Sequence, residues 1–216
     1  MAAGHPTRYT STSRFSQRHD QPAGDPLNEP ARLYRQTEPP LITIRAERLD
    51  DSPTITDVAI RAYANVDYSD HGEHFMIERL RVTDAYSPAL SLLAEIDGEA
   101  AGHILLRKAC ILGAHSSVVT LALAPLSVVP EHQSRGVGKR LVNAARLRAA
   151  DLGFGSILLV GIPSYYPQFG YEPLSRYPIT LPFDAPDDNC LILPLAPHAL
   201  DGVAGRVQYA AGWLDH

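Results

Sequence analysis

The chain has little of what staples, anchors or recruits. Only two cysteines occur in 216 residues, Cys110 and Cys190, far apart and in apolar surroundings. Neither lies in a C-x-x-C or metal-type spacing, so a disulfide framework, a zinc site and a thiol-redox motif are excluded and no bound metal is expected. No apolar run approaches the length needed to span a bilayer. The N-terminus has no apolar segment of the kind that marks a signal peptide, so a cytoplasmic protein with no membrane partner is expected. Positive charge is also short: 19 Lys and Arg stand against 24 Asp and Glu, a net charge of −5. A nucleic-acid partner is disfavoured by that balance. Hydrophobic residues make up 45%, enough for a core without staples.

Aliphatic residues are scarce from 1 to 40, where Pro, Ser, Thr, Arg and Gln dominate without a period. Such a segment buries too little surface to offset its ordering entropy. Residues 1–40 are therefore expected to form a flexible extension, and residues 41–216 a single domain.

Regular patterns begin at "LITIR", a β-branched strand. Ser52-Pro53 suits a helix start, followed by Ile55, Val58, Ala59 and Ala62 at helical spacing. A second helix is predicted around Phe75 to Arg81. "ALSLLAEI" and "EAAGHILLRKACIL" flank Asp97-Gly98, a hairpin signal. "VVTLALAPLSVVP" follows, and Pro125 inside it predicts a bulge or an edge. The next helix should bury Leu141, Ala144, Ala145, Leu147 and Leu152 and stop at Gly153. "SILLVG" and "CLILPL" read as further strands. The order predicts a mixed α/β domain.

Between the proline-bearing strand and that helix lies "PEHQSRGVGKRL". Paired glycines at a strand–helix junction let an anion approach unpaired helix N–H groups. A Walker loop fails, since Arg140 follows Gly138-Lys139 where Ser or Thr is required. The dinucleotide fingerprint fails because Leu141 stands where its third glycine belongs. Gln133-Ser134-Arg135-Gly136-Val137-Gly138 matches Gln/Arg-x-x-G-x-G/A at every fixed position.

In that loop the chain resembles the GNAT acetyltransferase superfamily. Tyr166-Pro-Gln-Phe169-Gly170-Tyr171 resembles its second signature. A bacterial YhbS-like subgroup of predicted acetyltransferases is more similar still, through Pro125 to Pro130 and through Gly161 to Tyr171. Ser127, Ile162 and Tyr171 depart from the subgroup's pattern, and Ile162 replaces a polar residue on the cofactor side.

The resemblance implies a mostly antiparallel central sheet flanked by helices, with a β-bulge before the cofactor loop. It implies acetyl-CoA as co-substrate and an amine as acceptor, a small molecule first and a protein amine second. Ser134, Arg135, Gly136, Val137, Gly138, Lys139 and Arg140 would wrap the pyrophosphate. Val128 and Val129 would pair with the pantetheine amides like an added strand. A backbone donor among Leu126, Ser127 and Val128 would receive the developing oxyanion.

Tyr166 stands at the family's general-acid position, and a phenol of ordinary pKa ~10 can protonate a thiolate. The strand before the loop carries no carboxylate to deprotonate the amine. Glu73 is the expected catalytic base, with His74 and His115 as other candidates. The expected assembly is a monomer or homodimer. An acyl-CoA-binding module without catalysis is the alternative reading of the same fold.

Overall fold

The computed structural model describes residues 41–214 apart from Tyr68. The extension expected over 1–40 and the last two residues of the expected domain lie outside them.

Asp97 and Gly98 both take positive φ, 52° and 89°, the combination a two-residue hairpin turn requires. They join β2 (Ser91–Ile96) to β3 (Glu99–Leu112), and β1 (Ile42–Ala46) pairs antiparallel on the outside. On its other edge β3 pairs antiparallel with β4 (Ser117–Val128). The sheet is mostly antiparallel with one central parallel contact, β4 against β5 (Ser156–Val160). β8 (Cys190–Pro194) continues it beyond β5, followed by the two-residue β6 (Glu172–Pro173). Two pieces do not follow from the sequence patterns. β9 (Gly205–Gln208) pairs with the far end of β3, and β7 (Ile179–Thr180) pairs with β9.

Three helices cover the two faces. α1 (Ser52–Tyr63) and α2 (Glu73–Arg81) pack over Leu93, Leu105 and Ala124 through Ile55, Ala59, Ile77 and Leu80. α3 (Val137–Asp151) packs on the opposite face. Asp51, not Ser52, is the residue at the α1 cap position. Its carboxylate accepts from the Arg48 amide and both Arg45 guanidinium nitrogens, while Ser52 accepts from Arg81.

The buried stripe of α3 also differs from the predicted one. Val137, Leu141, Val142, Ala145 and Ala149 are buried, whereas Leu147 is 59% and Leu152 48% exposed. Small residues at i, i+4 bring this helix close to the sheet. Gly102 of β3 makes the same accommodation: a Cβ there would lie 2.8 Å from the Ser127 carbonyl and 3.1 Å from Leu141 and Val137. The Phe154 amide reaches back to the Ala149 carbonyl and Gly153 turns to φ 81°, closing the helix as expected.

Candidate active site

The bulge expected at Pro125 is present. Across from Leu105 alone, β4 places two residues, Ala124 and Pro125. The extra residue turns the end of β4 away from β5. Their pairing is confined to Leu121–Ile157 and Ala122–Leu158, although β4 runs on to Val128 and β5 to Val160. A fork opens between the two strands, and a cavity of about 710 Å³ occupies it.

Backbone direction along this edge follows from the ladder. The Val129 amide donates to the Ala101 carbonyl across β3. Alternation then sends the amides and carbonyls of Val128 and Leu126 the other way, into the fork. The carbonyls confirm this direction: Tyr63 Oη donates to Leu126 O at 3.1 Å, and Gln133 Nε2 to Val128 O at 3.1 Å. Ser127 and Val129 are fully buried, and Ser127 Oγ has no hydrogen-bond partner among the described residues.

At one end of the cavity stands the N-terminus of α3. Gly136 sits at its cap position with φ 85°, no side chain among the described residues caps it, and the first internal bond is Arg140 N–H to Gly136 O. The leading amides are thus free for an anion. Ser134, Gly136, Val137, Gly138 and Lys139 all line the cavity. A Cβ on Gly138 would project among Tyr165 Oη, at 2.7 Å, Val128 and Leu126, all on the cavity wall. Arg140 instead reaches the Ile42 carbonyl of β1, and Arg135 is exposed outside the lining. Glu131 pairs with Arg61 of α1. His132 does line the cavity, with Nδ1 buried and without a partner among the described residues.

Tyr166 is buried on the wall opposite β4. Its ring packs edge-on to Tyr165 at 5.1 Å and to Tyr171 at 5.5 Å. Gly161 at the end of β5 makes room for it, since a Cβ there would lie 2.6 Å from the ring. Burial pushes the Tyr165 and Tyr171 phenols up, so both stay neutral. Ile162 lines the cavity, half exposed, where the subgroup pattern has a polar residue.

Glu73 lies in the first turn of α2, where its carboxylate accepts from the Ser69 hydroxyl. It is not part of the lining, although Met76, one turn further, is. His115 is exposed in the β3–β4 turn and His74 packs at a tilt against Phe75, and neither is part of the cavity lining. Among the described residues no carboxylate and no cysteine lines the cavity. The lining also contains Phe183, Tyr209 and Trp213. Sequence patterns pointed to none of the three, because they lie in short segments without a clear period.

A family model described as the acetyltransferase (GNAT) family matches residues 58–171. The chain belongs to the GNAT acetyltransferase family. It is 33% identical over 146 residues to the uncharacterized N-acetyltransferase YjhQ of Escherichia coli K12, covering 66% of this chain and 78% of that protein. A GNAT acetyltransferase from Brucella melitensis, solved in complex with acetyl-CoA, superposes with a TM-score of 0.66 at 28% identity, over 80% of this chain and 98% of that one. YhbS of Escherichia coli, solved in complex with CoA, shares the fold with a TM-score of 0.72 at 22% identity, over 81% and 92% of the two chains. As a GNAT protein the chain is an acetyl-CoA-dependent acyltransferase.

Proposed function

We propose that this enzyme transfers the acetyl group of acetyl-CoA to a primary amine by direct attack in a ternary complex. The forked cavity carries this reading: one wall is a strand edge that no strand among the described residues pairs with, and one end is a helix terminus that no described side chain caps. Acetyl-CoA supplies the acetyl group as an activated thioester. The α3 amides from Gly136 to Lys139, with the Ser134 turn and the Lys139 ammonium, hold the pyrophosphate; Arg135 and Arg140 supply the surrounding positive field. The fork-facing amide and carbonyl of Val128 hold pantetheine as an added strand. Ser127 and Val129 anchor that edge to β3. The Leu126 amide, turned into the fork beyond the bulge, is the donor for the oxyanion.

In the transfer the amine nitrogen bonds to the thioester carbonyl carbon and the C–S bond breaks. Tyr166 gives its phenolic proton to the departing thiolate. The amine proton leaves through water, and the Glu73 carboxylate, one turn before Met76 on α2, is the base that receives it. No cysteine lies on the cavity to carry the acetyl group covalently.

The test is thiol release from acetyl-CoA over a panel of amines. Tyr166→Phe should lower kcat by about a hundredfold, the usual worth of a placed acid, and leave acetyl-CoA affinity unchanged by calorimetry. Tight acetyl-CoA binding with no turnover on any amine would favour a binding module instead.

A further inference from the structure

The family match ends at residue 171, yet the cavity does not. Phe183, Tyr209 and Trp213 lie on its wall, brought there by the segments after β7 and β9. β9 joins β3 at Cys110 to Leu112, which pair with the first residues of β4. The glycine loop follows the last residues of β4. These aromatics therefore enter from the end of β4 opposite the loop. From there Trp213 packs toward Ala124, Leu105 and α2, and the Gly212 carbonyl accepts from Arg79.

The three rings are nearly parallel. Phe183 and Tyr209 lie 5.9 Å apart at 22°, and Tyr209 and Trp213 4.7 Å apart at 23°. Burial pushes the Tyr209 phenol up, so this wall is uncharged. The absence of carboxylates on the described lining removes the groups that would hold a second ammonium. Lys139, at the other end, would repel one.

We infer that the Phe183–Tyr209–Trp213 wall is the acceptor subsite, and that it selects a primary amine borne on a flat aromatic body over polyamines and lysine side chains. This rests on the transfer reading above. Offset stacking on a preformed ring face supplies affinity and orientation for such a body. A chain with two or more ammonium groups would find no counter-charge for the second on the described lining, and a lysine side chain has no ring to stack.

Trp213 is the only tryptophan in the chain, so its fluorescence reports on this wall directly. With CoA present, 2-phenylethylamine should quench it saturably, and spermidine and n-butylamine should not. In thiol release, 2-phenylethylamine should have a higher kcat/KM than spermidine or a lysine peptide. Phe183→Leu and, separately, Trp213→Leu should raise its KM about three- to tenfold, the worth of one aromatic contact, with a smaller rise in the KM for n-butylamine, so that the ratio of the two KM values increases. Phe183 is partly exposed, so its variant stays interpretable if Trp213→Leu does not fold.

Preference for spermidine or the lysine peptide, or an unchanged KM ratio in Phe183→Leu, would overturn the subsite and leave acetyl transfer standing. Saturable quenching without turnover on any amine would support the aromatic subsite and overturn the transfer reading alone.

Discussion

Gly138 separates binding from folding. It is the second residue of α3 and does not take positive φ, so alanine there gains helix propensity of up to about 1 kcal/mol. The new methyl meets only the far end of the Tyr165 side chain within 3 Å, and that ring can turn aside. The same methyl occupies space in front of the α3 amides. Gly138→Ala should therefore keep or raise the melting temperature while weakening acetyl-CoA at least about tenfold, since anion sites at helix termini depend on close approach. Calorimetry and thermal denaturation on one preparation check both halves. The glycine pair was legible in the sequence because few physical needs put two glycines at the start of a helix. The direction of the Gly138 Cβ was not, because it depends on where Tyr165 lies.

At the scale of elements, the site is made by two strands parting. Pro125 marked a bulge or an edge in advance, since a residue without an N–H cannot donate to a ladder; the structure shows the bulge. How far β4 and β5 separate depends on β8 holding β5 along its whole length while α3 holds β4 from the other side. Gly102 is where β3, β4 and α3 meet. Gly102→Ala would press a methyl to 2.8 Å from the Ser127 carbonyl, backbone that cannot swing away. The expected cost is about 2 kcal/mol, typical of overpacking, read as a lower urea midpoint. An unchanged midpoint would mean that the three elements adjust freely. The exposed Leu147 and Leu152 make a related point: helical spacing offers two adjacent stripes, and the neighbouring sheet decides which one is buried.

Across the whole molecule, a buried polar group on the α1–α2 face contributes to the response to acid. His103 on β3 is fully buried and hydrogen-bonded through Nε2 to Ser91 Oγ at 2.8 Å; Ser91 also meets Glu47, the partner of Arg81. Burial, with Arg81 nearby, pushes the imidazole down from 6.5 to about 3. The folded chain keeps it neutral where the unfolded chain protonates it. Its contribution to stability is therefore complete above 6.5 and declines as pH falls from there towards 3. The slope should approach 1.4 kcal/mol per pH unit, roughly the linkage limit for one proton. Relative to wild type, His103→Gln should flatten the unfolding free energy between about pH 4 and 6. Parallel pH curves would show that His103 does not carry the effect.

The sequence by itself determined the family, the glycine loop between β4 and α3, a break in regular pairing at Pro125 and the signature that holds Tyr166. Each of these rests on local chemistry: a left-handed or crowded backbone position, a missing N–H, or a signature within a few residues. Only the tertiary structure decided how the cavity is enclosed. It turned Val128 and Leu126 into the fork, set Glu73 one turn from the lining, and drew Phe183, Tyr209 and Trp213 across from the end of the chain. Those outcomes depend on contacts between segments far apart in sequence, which no local spacing records. The glycine loop was legible because its signature lies within adjacent residues. The Phe183–Tyr209–Trp213 wall was not, because it is assembled from separate segments.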